Sequence, residues 1–444
     1  MLRHLAARDP LYYPLLLDSA ATGPLSRASV LLAAPSAALW LDRDGRLGAQ
    51  GMTPRGSGFL GALEDWWRSE RSPPAGGGAA GMFAGGWAVF LGYELAGEIE
   101  PHLALPPTPL PWQAFALRTH GAIVLDLASG RVSAVAEEAP VLGRLVADAL
   151  EAAREASSPA RVHIDSVREE DPAQYLWRVH QAKEYVRAGD IYQANLSRPW
   201  DVLVRGTDDT DAAVAAAMYE RLRAANPAPF AALAQWQGIA ILSSSPERLL
   251  RVEGDRVDTR PIAGTRPRSR DPARERGEMS ELAAHPKERA EHIMLIDLER
   301  NDLGRVCEAG TVRVDELMTI ESYQHVHHIV SNVSGVLLPT VTPIGAVRAV
   351  FPGGTITGCP KFRCMQIIAE LEGEGRGAYT GSLGYLTREG RLDLNILIRT
   401  MTLRGRALSF RAGAGIVADS DPERELEETR AKARGLLAAL EGPT

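Results

Sequence analysis

Two pairs of glutamates are spaced so that each pair lies on one face of a predicted helix. Glu288 and Glu291 are three residues apart, and so are Glu425 and Glu428 near the end of the chain, where Lys432 falls on the same face. Residues three or four positions apart are neighbours on a helix surface. Carboxylate oxygens are the ligands that Mg²⁺ prefers. The two pairs would therefore form a magnesium site if the fold brings them together, whereas either pair alone fits a solvated helix face.

Two glycine-rich segments carry groups that bind anions. One is Phe351-Pro-Gly-Gly-Thr-Ile-Thr-Gly-Cys-Pro-Lys361, which leads into a predicted helix, and the other is Gly413-Ala-Gly415. Backbone N–H groups at a helix start, threonine hydroxyls and a lysine can hold a carboxylate or phosphate. Glycine also lets a ligand approach the backbone closely. A tight turn without a ligand is the alternative interpretation of the first segment.

Three histidines, His325, His327 and His328, follow one another closely in a predicted strand. Strand alternation would place His325 and His327 on one face and His328 on the other. Zinc is disfavoured because no cysteine or acidic residue lies nearby at ligand spacing. A single histidine that takes part in acid–base chemistry fits the pattern better.

The elements that must position these groups follow from hydrophobic periodicity. Asp171 and Pro172 begin a predicted helix with one apolar face, and a strand is predicted over 191–197. The first 160 residues indicate short strands and turns, including a hairpin over 122–136. Further helices are predicted over 286–300, 360–372 and 422–440. These patterns predict an α+β architecture, with a boundary near residue 160 that divides it into 1–160 and 161–444.

Composition restricts the class of protein. The chain has 444 residues, a net charge of −7 and 45% hydrophobic residues. A mild acidic excess argues against a nucleic-acid partner, and no apolar stretch is long enough to cross a membrane. The charged first residues contain no signal-peptide core, and the three cysteines lack zinc spacing, which indicates a reducing compartment. The residues alone therefore predict a cytoplasmic, magnesium-dependent enzyme that acts on a small anionic substrate.

Six motifs, which lie in order between Asp171 and Leu437, resemble those of the chorismate-utilising enzymes. This family includes the first components of anthranilate synthase and aminodeoxychorismate synthase, and the isochorismate and salicylate synthases. The motifs are Gly189-Asp-Ile-Tyr-Gln-Ala-Asn-Leu-Ser197, Ser245-Pro-Glu-Arg-Leu249, Thr259-Arg-Pro-Ile-Ala-Gly-Thr265, Glu291-His-Ile-Met-Leu-Ile-Asp-Leu-Glu-Arg-Asn-Asp-Leu303, Pro352-Gly-Gly-Thr-Ile-Thr-Gly-Cys-Pro-Lys361, and Gly413-Ala-Gly-Ile-Val417 with Glu425-x-x-Glu-Thr-x-x-Lys432.

The resemblance implies two large antiparallel β-sheets packed face to face with flanking helices, as one intertwined fold. It assigns Mg²⁺ to Glu291 and Glu428, with Glu288 and Glu425 holding its waters. It implies that the ring carboxylate of chorismate is approached by Gly415 and Lys432. The enolpyruvyl carboxylate would be held by Thr355, Tyr385 and Arg399. The implied general acid for the leaving C4 hydroxyl is Glu247, assisted by His328.

The resemblance also bears on the nucleophile. Members of the family that use water carry a lysine base where this chain has Gln193. Since an amide cannot deprotonate water, the prediction is ammonia, supplied by a separate glutamine amidotransferase subunit.

The product depends on position 263. Aminodeoxychorismate synthases commonly have a lysine there, and Ala263 is the anthranilate synthase choice. The motifs around Thr355 and Gln193 and the chain length favour aminodeoxychorismate synthase component I, which makes 4-amino-4-deoxychorismate for p-aminobenzoate and folate biosynthesis. That enzyme is the prediction. The alternatives are anthranilate synthase component I and an inactive scaffold that binds chorismate or tryptophan.

A possible tryptophan site comes from the same resemblance. Leu15-Leu-Leu-Asp-Ser19 resembles the segment that binds tryptophan in these enzymes. The second side of the site would be formed by Asn226 and Pro227. A plain apolar strand is the alternative interpretation of the first segment.

Overall fold

The computed structural model describes residues 1–21, 23, 25, 27–73, 83, 85–155, 160–205, 210–268, 271–322 and 326–441. Within these ranges the helices are α1 (Leu2–Arg8), α2 (Gly58–Glu70), α3 (Ala96–Ile99), α4 (Ala139–Ala152), α5 (Pro172–Arg187), α6 (Asp211–Ala225), α7 (Pro272–Ala284), α8 (Pro286–Gly304), α9 (Pro343–Val350), α10 (Lys361–Glu372) and α11 (Pro422–Glu441). The strands are β1 (Leu15–Asp18), β2 (Ala28–Asp42), β3 (Leu47–Gln50), β4 (Gly86–Leu91), β5 (Trp112–Asp126), β6 (Val132–Ala136), β7 (Ile164–Glu169), β8 (Gln193–Val204), β9 (Phe230–Trp236), β10 (Ile239–Ser245), β11 (Arg248–Glu253), β12 (Arg256–Arg260), β13 (Ile262–Pro267), β14 (Arg313–Ser322), β15 (Val326–Val336), β16 (Gly358–Cys359), β17 (Ser382–Thr387), β18 (Leu392–Asn395), β19 (Thr400–Arg404) and β20 (Ala407–Ile416). Short 3₁₀ turns lie at Tyr93–Leu95 and Gly354–Ile356.

The strands form two antiparallel sheets that share the long pair β2 and β5. Sheet one has the order β6-β5-β2-β1-β9-β10-β19-β20-β8-β7, and it uses the first half of β2. Sheet two has the order β3-β2-β5-β4-β17-β18-β11-β12-β15-β14, and it uses the second half of β2. Strand β13 extends the pairing along β15. The pair changes sheet where Ala34 adopts φ 57° and the register shifts after Pro35.

The two sheets pack against each other through one apolar cluster. It contains Leu15, Ala232 and Ile241 from sheet one, and Phe90 and Leu383 from sheet two. This confirms the predicted fold of two large antiparallel sheets. Because β1 pairs with β9 and β4 pairs with β17, residues on either side of position 160 share both sheets.

Helices cover the outer faces of both sheets. Helices α1, α4, α6 and α11 contribute to an apolar cluster with sheet one, and α2, α8 and α9 contribute to one with sheet two. On α11 the buried residues Leu426, Ala433 and Leu436 form the stripe that faces the protein. Helix α5 begins as predicted, with the Asp171 side chain accepting a hydrogen bond from the Ala173 N–H. Among the described residues, no helix combines the length and apolar character needed to span a membrane.

Candidate active site

Gln193, Glu291 and Gly415 meet where β8 and β20 approach helix α8. The Gln193 amide Nε2 donates a hydrogen bond to Glu291 Oε1 at 3.1 Å. A Cβ atom at position 415 would lie 2.2 Å from Gln193 Nε2 and 3.5 Å from Glu291 Oε1. Any side chain at position 415 would displace this amide, which explains the glycine. Three of the residues predicted from sequence are thus in contact.

Lys432 connects helix α11 to the same group of residues. Its ammonium group lies 2.8 Å from Glu428 Oε1 and donates a hydrogen bond to the Gly413 carbonyl oxygen at 3.0 Å. Partial removal of the ammonium group from water would lower the pKa of Lys432. The carboxylates of Glu428 and Glu291 outweigh this effect, so the pKa is raised. Lys432 therefore stays positively charged and interacts with carboxylates of both α8 and α11.

The four predicted magnesium ligands come from the first two turns of α8 and of α11. Glu291 and Glu428 both act on the Lys432 ammonium group, and Glu425 lies buried at the start of α11. The Glu288 carboxylate packs on Gly264, where a Cβ would lie 2.0 Å from its Oε2. Within the described part of the chain, no three acidic, histidine or cysteine groups are arranged as a metal centre. A donor set made only of carboxylates suits a hard cation such as Mg²⁺. Magnesium binding at these residues stays a prediction.

Glu247 is a buried carboxyl group just before β11. Burial raises the pKa of Glu247 to about 7, although Thr355, the Ile262 N–H group and the cations Arg399 and Lys432 act in the opposite direction. Its Oε1 atom has no hydrogen-bond partner among the described residues. A carboxyl group that is half protonated near neutral pH can donate a proton to a substrate. The geometry is consistent with the predicted role of a general acid.

Arg399 supplies a partly buried positive charge near Glu247. Burial lowers the pKa of Arg399, and the nearby Glu247 opposes that shift. The guanidinium group makes no ion pair or hydrogen bond with any other side chain that the structure describes. Its backbone is in the left-handed region, with φ 52°, a strained conformation that is frequent at functional sites. Its carboxyl neighbour Glu247 is protonated in about half of the molecules near pH 7, so the guanidinium can also hold an anionic ligand.

His328 is buried, and its Nδ1 atom lies 3.4 Å from the Gly264 carbonyl oxygen. Burial and the Arg399 charge lower the pKa of His328 to about 3, so the imidazole is neutral at pH 7. His328 can therefore orient groups through hydrogen bonds but cannot act as a cationic acid. His327 instead contacts Ser322 Oγ at 2.7 Å. His325 lies outside the described residues.

Lys361 does not serve the anion site that its motif predicts. Its ammonium group binds the carboxylate of Asp302 at 2.5 Å and the Val350 carbonyl oxygen at 2.9 Å. The neighbouring Thr355 hydroxyl, by contrast, acts on the Glu247 carboxyl group and opposes the rise in its pKa. The glycine-rich segment therefore contributes Thr355 to the site, whereas Lys361 fixes the start of α10 against α8.

Tyr385 does not join the group around Glu247 and Lys432. Its ring packs on Phe83 at 5.7 Å, next to the core between the sheets, and the charges that act on it include Asp393 and Arg248. Its position in β17 turns the side chain toward the space between the sheets. That Tyr385 holds the substrate stays a prediction.

Tyr379 is the tyrosine that faces the site, and the sequence analysis missed it. Its hydroxyl oxygen would lie 2.8 Å from a Cβ at Gly413, and its pKa is affected by Lys432. The glycines Gly377 and Gly381 on either side were the only sequence signal, because they mark a tight turn. Thr380, with φ 62°, completes that turn.

A buried ion network holds Tyr379 in place. Glu372 accepts hydrogen bonds from the Ser197 N–H group at 2.8 Å and from Arg376 at 2.7 Å, and Arg411 lies 3.2 Å away. Burial alone would raise the pKa of Glu372, but Arg376 and Arg411 lower it to about 2. The Arg376 guanidinium packs 5.6 Å from the Tyr379 ring centre. The network thereby ties α10 to β8 and β20 beneath the site.

We expect Tyr379→Phe to lower kcat/KM for the anionic substrate about tenfold, because one hydrogen bond to a charged group contributes about 1.5 kcal/mol. Tyr385→Phe is the matched control, since it removes the same hydroxyl from a residue outside the group, and it should change kcat/KM less than twofold. Steady-state kinetics of both variants measures the difference. Equal losses in the two variants would contradict the placement of Tyr379 in the site.

Ala263 lies in β13, one residue after a backbone contact with the predicted acid. It follows Ile262, whose N–H group acts on the Glu247 carboxyl, and it pairs with Ile329 of β15. The side chain is buried. A methyl group at this position offers no nucleophile to a substrate.

The two segments of the predicted tryptophan site lie side by side. The Ser19 hydroxyl donates a hydrogen bond to the Pro229 carbonyl oxygen at 3.2 Å, and the Ala20 N–H donates to the Ala228 carbonyl oxygen at 3.0 Å. Asn226, which with Pro227 begins the second segment, packs on α11, 3.0 Å from the Cβ position of Gly435. The segments are adjacent, and tryptophan binding stays a prediction.

A sequence profile of the chorismate binding enzyme family matches residues 59–438. The anthranilate synthase component I-like protein of Synechocystis sp. is 44% identical over 363 residues, which cover 81% of this chain and 73% of that protein. The anthranilate synthase component 1 of Streptomyces coelicolor is 42% identical over 382 residues, with coverage of 81% and 73%. The crystal structure of anthranilate synthase component I from Streptococcus pneumoniae TIGR4 matches with a TM-score of 0.79 and 29% identity, over 93% of this chain and 92% of that one.

The family match begins at residue 59, so it extends beyond the six motifs into the N-terminal half of the chain. The names of the relatives favour the anthranilate synthase alternative over the aminodeoxychorismate synthase prediction.

Proposed function

This chain belongs to the chorismate binding enzyme family, and from that premise we propose that it converts chorismate and ammonia to anthranilate and pyruvate. This is the reaction of anthranilate synthase component I. The relatives at 44% and 42% identity support the choice within the family. The sequence motifs favoured amination of chorismate at C4, and the names of these relatives favour the anthranilate synthase alternative instead.

The observation that carries the proposal is the methyl group at position 263, which directly follows the Ile262 N–H group that acts on Glu247. Amination at C4 through a covalent intermediate needs a nucleophile such as a lysine at this position, and Ala263 has none. Direct addition of ammonia at C2 needs no such nucleophile. The site therefore supports the reaction in which ammonia itself attacks the ring.

We propose the following roles for the described residues. Lys432, Tyr379 and the backbone at Gly415 receive the ring carboxylate, and the Arg399 guanidinium receives the enolpyruvyl carboxylate together with Thr355. Glu247 gives its proton to the C4 hydroxyl, which leaves as water while ammonia bonds to C2. Loss of the C2 proton and of the enolpyruvyl group as pyruvate then yields the aromatic amine. Magnesium held by Glu291 and Glu428, with Glu288 and Glu425, would neutralise the ring carboxylate.

Ammonia rather than water is proposed as the nucleophile because of Gln193. Its amide donates to Glu291 and cannot take a proton from water. We therefore include a glutamine amidotransferase subunit as the partner that supplies ammonia.

The purified chain with chorismate, magnesium and an ammonium salt tests the proposal. The expected result is fluorescent anthranilate, with an equal amount of pyruvate measured by a coupled dehydrogenase. If p-aminobenzoate formed only after addition of a lyase, the product would be aminodeoxychorismate and our choice would be wrong. If chorismate were not consumed, the chain would be an inactive scaffold that binds chorismate or tryptophan, and the enzyme proposal would be wrong.

A further inference from the structure

A serine, a histidine and a glutamate form a chain of hydrogen bonds outside the site described above. Ser36 Oγ lies 2.6 Å from His120 Nε2, and His120 Nδ1 lies 2.9 Å from Glu137 Oε2. Because a carboxylate only accepts hydrogen bonds, the neutral imidazole carries its proton on Nδ1, and Nε2 accepts the Ser36 O–H. A hydroxyl that donates to a histidine held by a carboxylate is the arrangement that activates serine as a nucleophile.

Strand pairing brings the three groups together. Ser36 lies in β2 at the register shift between Pro35 and Ala37, where β2 pairs with β5. A β-bulge turns a side chain out of the regular alternation and is frequent next to active sites. His120 lies in β5, and its carbonyl oxygen accepts a hydrogen bond at 2.9 Å from the N–H group of Glu137, the residue after β6. The serine and the carboxylate therefore reach the histidine from the strands on either side of β5.

Two arginines hold the Glu137 carboxylate. The buried Arg118 guanidinium donates to both Glu137 oxygens at 2.8 Å, and Arg388 Nη1 lies 3.7 Å from Oε1. These contacts fix the orientation of the carboxylate. They also share its negative charge, so Glu137 stabilises a cationic His120 less than an unshared carboxylate would. We therefore expect a moderately reactive serine.

Ser36 lines an open cavity of about 540 Å³, a volume that suits a small molecule. Leu11, Pro35 and Val141 contribute apolar groups to its walls, and Leu11 is 85% exposed. Helix α4 begins at this cavity, and no side-chain hydrogen bond caps its first turn. Backbone N–H groups at a helix start can stabilise the negative oxygen that forms when a carbonyl carbon is attacked. The cavity thus combines a nucleophile, hydrogen-bond donors and an apolar surface.

We propose that Ser36 and His120, with the histidine oriented by Glu137, form a second active site that hydrolyses small carboxylic esters with an apolar acyl group. The Ser36 oxygen attacks the ester carbonyl carbon while His120 takes the hydroxyl proton and passes it to the leaving alcohol oxygen. The acyl group is then an ester of Ser36. Water attacks the acyl carbon and gives a proton to His120, and the carboxylic acid leaves as this proton returns to Ser36. None of these residues is assigned to chorismate, so the second site is independent of the proposed function.

A fluorophosphonate probe, which phosphonylates activated serine hydroxyls with loss of fluoride, tests the proposal on the full chain. Mass spectrometry should find the label on Ser36 at a rate at least about tenfold above that on Ser129. Ser129 is the matched control, because it is also exposed but its hydroxyl donates to Asp126 instead of a histidine. His120→Asn should slow the labelling of Ser36 by about 100-fold, because it removes the base. Equal labelling of the two serines, or unchanged labelling in His120→Asn, would overturn the proposal.

Hydrolysis of p-nitrophenyl butyrate gives a second readout, with thermal unfolding to confirm that each variant is folded. Ser36→Ala should lower kcat/KM for this ester at least about tenfold, whereas Ser129→Ala should match the wild type. Glu137 is not among the described residues that line the cavity, so Glu137→Gln should lower kcat with little change in KM. A change in both constants would leave Glu137 only a structural role, and wild-type hydrolysis by Ser36→Ala would reject the second site. Neither assay contains chorismate, so failure here is separate from failure of the anthranilate proposal.

Discussion

Glu247→Gln should lower the turnover of chorismate by about 10² to 10⁴-fold, the range that a positioned general acid contributes. Glutamine has the same shape as the protonated carboxyl group but cannot give its proton to the leaving hydroxyl. Since Glu247 is neutral in about half of the molecules near pH 7, the substitution should change the free energy of unfolding by only about 1 kcal/mol. Chorismate consumption and thermal unfolding measure the two effects.

The same acid sets the pH dependence of the wild type. The protonated form is the active one, so kcat/KM should be highest below the pKa of about 7 and fall tenfold per unit well above it. Glu253→Gln, at the end of β11 with a side chain that is 62% exposed, is the control and should retain wild-type rates. A Glu247→Gln variant with more than a tenth of wild-type turnover would remove this residue from the acid role.

Glu428→Gln should lower turnover at least about 100-fold at ordinary magnesium concentrations, because it removes a predicted metal ligand. The side chain is 48% exposed and its ion pair with Lys432 lies at the surface of the helix, so the free energy of unfolding should change by about 0.5 kcal/mol. Binding of Mn²⁺, followed by electron paramagnetic resonance, should weaken in parallel with activity.

Helix α11 offers a close control for this substitution. Glu427 is the adjacent residue, 68% exposed and paired with Arg430 on the outer surface. Glu427→Gln should leave turnover and Mn²⁺ binding unchanged. Full activity in Glu428→Gln, or equal Mn²⁺ affinity in the two variants, would remove Glu428 from the proposed magnesium site.

Local spacing predicted the parts of the site that lie within one element. The i, i+3 glutamates of α8 and α11 and the glycine of position 415 were recognisable because helix periodicity and close backbone approach leave a signature in a few residues. Two tyrosines show the limit of prediction from local spacing. Tyr379 and Tyr385 are six residues apart in a glycine-rich segment. The left-handed turn at Thr380, which sets their different surroundings, has no clear signature in sequence.

The N-terminal half was harder to predict for a different reason. The sequence indicated short strands, whereas β2 and β5 each run for 15 residues and join both sheets. Strands buried on both faces lack the polar alternation that marks a strand in sequence. The β-bulge near Pro35, which lets the pair change sheets, is fixed by pairing with the rest of the chain.

The sequence by itself determined the chemical groups. These are four carboxylates at helical spacing, a methyl group at position 263 where covalent amination at C4 would need a lysine, and an amide at position 193 where a water-using enzyme would need a base. The tertiary structure decided what those groups can do. It buries Glu247 so that its pKa reaches about 7, and it brings the Arg399 guanidinium near that carboxyl group. Desolvation and charge coupling act through space between residues that are distant in the chain, so they exist only once the sheets and helices have packed.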